Sequence, residues 1–382
     1  MKKFLSLATA SLLTCYLPIA QSLELFNDDK SRLDFSGNLS VYYIHGEDDS
    51  AINDGFSRYT FDISHQMKNN WKALAQLEWG VQLSGTNNQI FASNNGLTST
   101  GPTADTTWVR VGYVGVEHET YGRFTMGKQL GVSYDIGSAT DYYEVFGGKA
   151  QGTYNFGTDG GFSGTGHAEQ AMQYKVNYQN FSFGAQYLVS DDVVSTDIEN
   201  DNVGVQFNDS YGFSVKYQAP YEIGLGVAYN KAKISLVADV GQILNTIESP
   251  QIDDELITAH IIYRPHGSLG LHIALVYTDM TNHDINDVGK VMNKSSGIEM
   301  LTSYRFDNDI SLIVGYISLK DNSNTVLTNN NYHLNYSILS AKYHWDDDFY
   351  LFIESKIDDS TVVEQESNLA ENATALGMMY VF

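Results

Sequence analysis

From residue 23 onward the sequence has no apolar run approaching the roughly 18 residues that a helix needs to cross a bilayer. It is written instead in segments of about ten residues whose apolar and polar side chains alternate, the pattern of a barrel strand. The last segment puts Leu376, Met378, Tyr380 and Phe382 on one face and the small or slender Ala375, Gly377, Met379 and Val381 on the other. A wholly apolar face at period two fits lipid contact. In hydrocarbon every backbone amide must be paired, so a chain that crosses without helices has to close its sheet on itself. The expected fold class is all-β, a transmembrane antiparallel up-and-down barrel.

The composition fits, with 26 Tyr, 18 Phe and 33 Gly against only 5 Pro, as strands, aromatic girdles and tight turns require. A soluble sandwich or propeller also alternates, but it predicts a polar outer face and loops without rhythm. Here Tyr, Phe, Val, Ile and Leu recur on the outer face, and aromatics gather near strand ends, as at Trp71, Trp345 and Tyr350. The first strand sets Leu33, Phe35, Leu39, Val41 and Tyr43 against Asp34, Ser36, Asn38 and Ser40. About sixteen such strands fit, an even number as bacterial barrels use. Tyr178-Gln179-Asn180, Tyr221-Glu222, His266-Gly267-Ser268 and Asp346-Asp347-Asp348 read as periplasmic turns. The stretches 46 to 55, 86 to 105, 190 to 208 and 321 to 331 read as extracellular loops.

The other end indicates export. Lys2 and Lys3 precede an apolar stretch from Phe4 to Ile19, and Ala20-Gln21-Ser22 supplies small residues for a signal peptidase, so residues 1 to 22 are expected to be a cleaved signal peptide and 23 to 382 the barrel. Cleavage removes Cys15, the only cysteine, and with it any disulfide. It also removes two lysines and no acid, making the net charge of −24 more negative still. That balance argues against nucleic acid as a partner.

Tyr121-Gly122-Arg123-Phe124-Thr125-Met126-Gly127-Lys128, Gly131-Val132-Ser133-Tyr134-Asp135 and Thr140-Asp141-Tyr142-Tyr143-Glu144-Val145-Phe146-Gly147-Gly148 resemble the fifth strand and third loop of the trimeric general porins of enteric bacteria. Asn27-Asp28-Asp29-Lys30, Leu33-Asp34-Phe35-Ser36-Gly37 and the terminal Phe382 are similar to the family's mature start and end. The resemblance implies a homotrimeric channel of the Gram-negative outer membrane, in contact with lipid and lipopolysaccharide. Its third extracellular loop, about 130 to 166, would fold inward as a constriction. Tyr380 and Phe382 resemble the signal that such barrels present to the barrel assembly machinery.

A constriction filters by charge when acids on one wall face bases on the other, because a narrow low-dielectric surround focuses the transverse field. The resemblance gives the acidic wall as Asp135, Asp141 and Glu144, the last displaced by one residue from the family's glutamate. It gives the basic wall as Arg58 and Arg110, with Asn38 and His167 where the family often has lysine and arginine. This thinned ladder, with the acidic surplus, predicts cation selectivity. Wall support through pairing with nearby acids is the plainer reading of Arg58 and Arg110.

No cofactor or metal site is expected. The Gly-rich run 157 to 166 lacks a following Gly-Lys-Ser/Thr and reads as a flexible loop, and the ten histidines have no ligand spacing. The expected function is passive diffusion of ions and small hydrophilic solutes. A channel selective for a sugar or another solute class is the alternative, for which Tyr142 and Tyr143 are the local hint. A barrel hydrolase is disfavoured because no compact His/Asp/Ser set is visible.

Overall fold

The computed structural model describes residues 22–47, 50–84, 89–93, 96–100, 106–198, 201–238, 247–248, 251–287, 289–323, 332–361 and 371–382. The expected signal peptide lies outside the described residues except for Ser22, as do much of 86 to 105 and of 321 to 331.

Sixteen antiparallel strands carry the alternation around a closed ring. They are β1 Ser31–His45, β2 Arg58–Gln66, β3 Trp71–Val81, β4 Thr107–His118, β5 Gly122–Leu130, β6 His167–Tyr178, β7 Phe181–Leu188 and β8 Asp201–Ala219. The second half comprises β9 Ile223–Ala238, β10 Ile252–Tyr263, β11 Gly270–Thr281, β12 Ser295–Arg305, β13 Ile310–Asp321, β14 His333–Asp346, β15 Phe349–Asp358 and β16 Ala373–Val381. Each pairs with its chain neighbour, and β16 returns to β1 in the register Asn38↔Val381 to His45↔Thr374. Closure leaves the ring without an edge.

Period two sorts the side chains as the alternation requires. On β11, Leu271, Ile273, Leu275 and Tyr277 are exposed while His272, Ala274, Val276 and Thr278 are buried. On β16, Leu376, Met378 and Tyr380 are exposed and Ala373, Ala375 and Val381 buried. The exposed row is the apolar belt of a transmembrane barrel. Phe382 helps to seal the ring: its backbone exchanges hydrogen bonds of 2.8 and 3.0 Å with Gly37, and its ring lies 5.2 Å from Phe35.

Short and long connections alternate throughout. The loops are less irregular than the sequence suggests. Ser50–Asp54 pairs with β1, Gln89–Ser93 pairs with Gly96–Thr100, and Asp192–Ile198 pairs with the start of β8 inside the stretch 190 to 208 read as loop. Gln89–Ser93 and Gly96–Thr100 form a two-stranded sheet of their own, whereas Ser50–Asp54 and Asp192–Ile198 belong to the main sheet.

Candidate functional site

The connection from β5 to β6, residues 131 to 166, is bonded to strands far from it in the chain. Its first turns are the helix Tyr134–Gly137 and the 3-10 turn Ser138–Thr140, with Val132 and Ile136 fully buried. Two wall carboxylates hold the part that follows. Glu354 on β15 accepts three successive backbone N–H groups, from Glu144 at 3.0 Å and from Val145 and Phe146 at 2.9 Å. Glu299 on β12 accepts the Gly148 N–H at 2.7 Å and the Thr140 hydroxyl at 2.8 Å. Both carboxylates are 0 % exposed. A buried carboxylate needs several donors, and backbone N–H groups supply them here.

Close packing reinforces the tie. The Tyr336 hydroxyl donates to the Phe146 carbonyl at 2.6 Å, and Phe146 shares a buried cluster with Ile317, Ile338 and Phe352. A Cβ at Gly297 would lie 2.1 Å from the Ala150 carbonyl oxygen, and one at Gly315 would lie 2.2 Å from the Tyr143 hydroxyl. Glycine inside a strand is here the condition for backbone approach. The Gly-rich run read as a flexible loop is a packed turn, in which the Gly160 carbonyl accepts the N–H groups of Gly164, Thr165 and Gly166 at 3.0 to 3.1 Å.

The acids singled out in the sequence each have a partner. Asp135 pairs with Lys175 on β6 at 2.8 Å. Asp141 accepts the Tyr134 hydroxyl. Glu144 pairs with Lys342 on β14 and accepts the Tyr350 hydroxyl at 3.0 Å. On β2 to β4, Arg110 meets Glu78 of β3 at 2.8 Å, Arg58 lies 3.9 Å from the same carboxylate, and the Thr60 hydroxyl donates to it at 3.0 Å. Asn38, opposite Arg58 in the β1–β2 register, turns its amide to the Met379 sulfur at 3.6 Å. His167 is 3 % exposed, and its nearest carboxylate, Asp159, is 3.8 Å away. Tyr142 stacks on His266 with ring centroids 4.0 Å apart, and the Tyr143 hydroxyl donates to the Met300 carbonyl.

Desolvation and, after it, the charge of Asp141 push the Tyr154 phenol well above its ordinary value, while Arg110 and Arg58 pull the other way. One side chain of the connection therefore stands in the fields of the acid and of both arginines. Lys149 is drawn down to about 8 by burial, against the opposing charges of Asp284 and Glu299.

Sequence reasoning missed Glu78, Glu299, Glu354, Lys175, Lys342, Lys149 and Tyr154. A signal existed for two of them, since Glu299 stands between Ile298 and Met300 and Glu354 follows Ile353 in strands whose neighbours face outward. An ionisable residue on the inner face of a membrane strand marks a working group.

The Gram-negative porin family profile matches residues 7–246. The putative outer membrane porin protein NmpC of Escherichia coli K12 is 25 % identical over 374 residues, covering 95 % of this chain and 94 % of that one. Outer membrane protein S2 of Salmonella typhi is 24 % identical over 413 residues, covering all of both. Among solved structures, OmpF of Salmonella typhi in complex with daunomycin superposes with a TM-score of 0.69 at 18 % identity, over 94 % of this chain and 100 % of that one. An anion-selective porin from Comamonas acidovorans gives 0.61 at 14 % identity, over 92 % of this chain and 100 % of that one. The structural likenesses establish a common fold.

Proposed function

The chain belongs to the Gram-negative porin family, a family of non-enzymatic diffusion channels in the outer membrane, and on that premise we propose that it is a cation-preferring, water-filled channel whose neck is formed by residues 131 to 166 folded into the barrel. The observation that carries this reading is the grip of Glu354 and Glu299 on residues 140 to 148. These bonds hold the connection to one wall while Arg58 and Arg110 stand on another, and Tyr154 senses both sets of charge.

Local pairing sets the strength of the filter. Asp135 with Lys175 and Glu144 with Lys342 are neutral pairs, and Arg58, Arg110 and Glu78 together carry one positive charge. Asp141 has a tyrosine rather than a basic partner. The field across the neck then sets Asp141 and the wall carboxylates Glu299 and Glu354 against the arginine pair and Lys149, with Asn38 as a polar spacer. His167, buried, serves as a wall residue. The chain's net charge of −24 enriches cations at the mouths.

Cleavage after Ser22, a homotrimeric assembly, contact with lipopolysaccharide, and delivery by the barrel assembly machinery through Tyr380 and Phe382 belong to the same proposal. The test is the reversal potential of the refolded protein in a planar bilayer under a KCl gradient. A cation-selective sign is expected, with insertions in steps of three. The preference should shrink with salt, since the Debye length falls from about 10 Å at 0.1 M to about 3 Å at 1 M. An anion-selective sign would overturn the charge assignment.

A further inference from the structure

The connection between β11 and β12, residues 282 to 294, reaches the limb of the neck that follows Lys149. His283 is 0 % exposed, and both its ring nitrogens face acceptors. Nε2 lies 2.8 Å from the Gly152 carbonyl oxygen and Nδ1 lies 2.6 Å from Oδ1 of Asp254 on β10. A neutral imidazole has one N–H, and a carbonyl can only accept. A neutral histidine beside an ionised aspartate would therefore leave one contact without a proton, two lone pairs facing each other in a buried site. The geometry needs one more proton, on the imidazole or on the carboxyl. Next to it, Asp284 accepts the Phe156 N–H at 3.0 Å and the Ile285 N–H at 2.8 Å, and Ile285 and Val291 pack against the cluster of Phe156, Phe207 and Ile234.

We propose that His283 and Asp254 are positioning residues of the neck: a clasp held by one shared proton, which fixes residues 152 to 156 and opens when that proton leaves. The clasp stands on its own geometry, and its effect on conduction rests on the neck reading above. The charged groups facing His283 are Asp254 from β10 and Asp284 from its own loop, while Lys149 acts through Asp284. Burial pulls the imidazole down, but the charge of Asp254 and the bonds to Asp254 and Gly152 outweigh it and hold the group above its ordinary value. With the folded value raised, the contribution is complete below the ordinary histidine value of about 6.5 and is lost as pH rises through the elevated one. Asp284, pushed up to about 6 by burial, adds a cost of the same sign, because it must stay charged and buried above that pH. Lys149 works the other way, since the cost of burying its charge fades above about 8.

Hydrogen exchange at the amides of 153 to 156 in the refolded protein, corrected for intrinsic rates and followed from about pH 6 to 9, reads the clasp directly. Wild type should lose about tenfold in protection over this range, the scale of one buried hydrogen bond. His283→Ala should be poorly protected throughout. Asp254→Asn is the discriminating variant, because its amide can donate to Nδ1 while a neutral His283 donates from Nε2 to Gly152. All contacts are then made with no extra proton, so protection should persist and most of the pH dependence should vanish. Equal, pH-independent protection in wild type and His283→Ala would overturn the clasp. In a bilayer, current flicker should rise with pH in wild type and stay low in Asp254→Asn. Flicker that ignores both pH and variant, while exchange follows the pattern above, would overturn the positioning role and leave the clasp standing.

Discussion

On β2 to β4 the charges meet side chain to side chain and remain partly open to water, with Arg58, Glu78 and Arg110 exposed by 30, 15 and 18 %. On β12 and β15 the carboxylates of Glu299 and Glu354 are sealed and meet the backbone N–H groups and a hydroxyl of residues 140 to 148. The same residue type does different work in the two arcs. Where a carboxylate has guanidinium partners beside water, it trims an electrostatic field and contributes little to stability, because solvent screens the pair. Where its partners are amides of a distant segment, it becomes an anchor, since removing it strands donors that water cannot reach.

The largest expected effect comes from breaking the anchor. Glu354→Leu leaves the N–H groups of Glu144, Val145 and Phe146 without their acceptor, at about 1 to 3 kcal/mol for each group that finds no other. Thermal melting of the folded protein should fall well below wild type and single-channel current should become noisy, while Glu354→Gln, which keeps an acceptor oxygen, should recover part of both. A Glu354→Leu protein that melts and conducts like wild type would remove the distinction between the arcs.

An intermediate effect is expected on the open arc. Glu78→Gln frees Arg58 and Arg110 from their shared counter-charge and should move the reversal potential toward anions, whereas Arg110→Ala should move it toward cations. Melting should change little in either. If neither variant shifts the potential, the arginines only support the wall.

The smallest effect concerns Lys149, which loses its charge as pH rises through about 8. Fewer positive charges at the neck should strengthen the cation preference between about pH 7 and 9, well below the ordinary lysine value of about 10.4. Lys149→Met should hold the alkaline preference at both pH values. Making the measurement in the Asp254→Asn background keeps the clasp closed, so that a change in neck shape does not add to the change in charge.

Much of the barrel was legible in the sequence because a strand's two faces are a local property. Leu376, Met378 and Tyr380 had to lie opposite Ala375, Gly377 and Val381 whatever the neighbouring strands did, and the structure exposes the first set. The rhythm of short and long links followed from the same periodicity. Strands inside the polar stretches were not legible, because past the lipid the outer face no longer carries an apolar mark. Of the candidate site, Asp135, Asp141, Glu144, Arg58 and Arg110 stood out through family likeness, but the partners that pair with them did not. Glu78 reaches both arginines only because β2, β3 and β4 pair in one register, with an irregularity between Glu78 and Trp79.

Alternation thus determined that the chain forms a closed sheet with an apolar outer face, since it follows from the demand that lipid makes on every strand separately. Tertiary structure alone decided that Glu354 grips Phe146 from 208 residues away in the chain and that His283 meets both Asp254 and Gly152. Buried polar groups must find partners wherever closure of the ring happens to bring them, and no local pattern records which distant donor that will be.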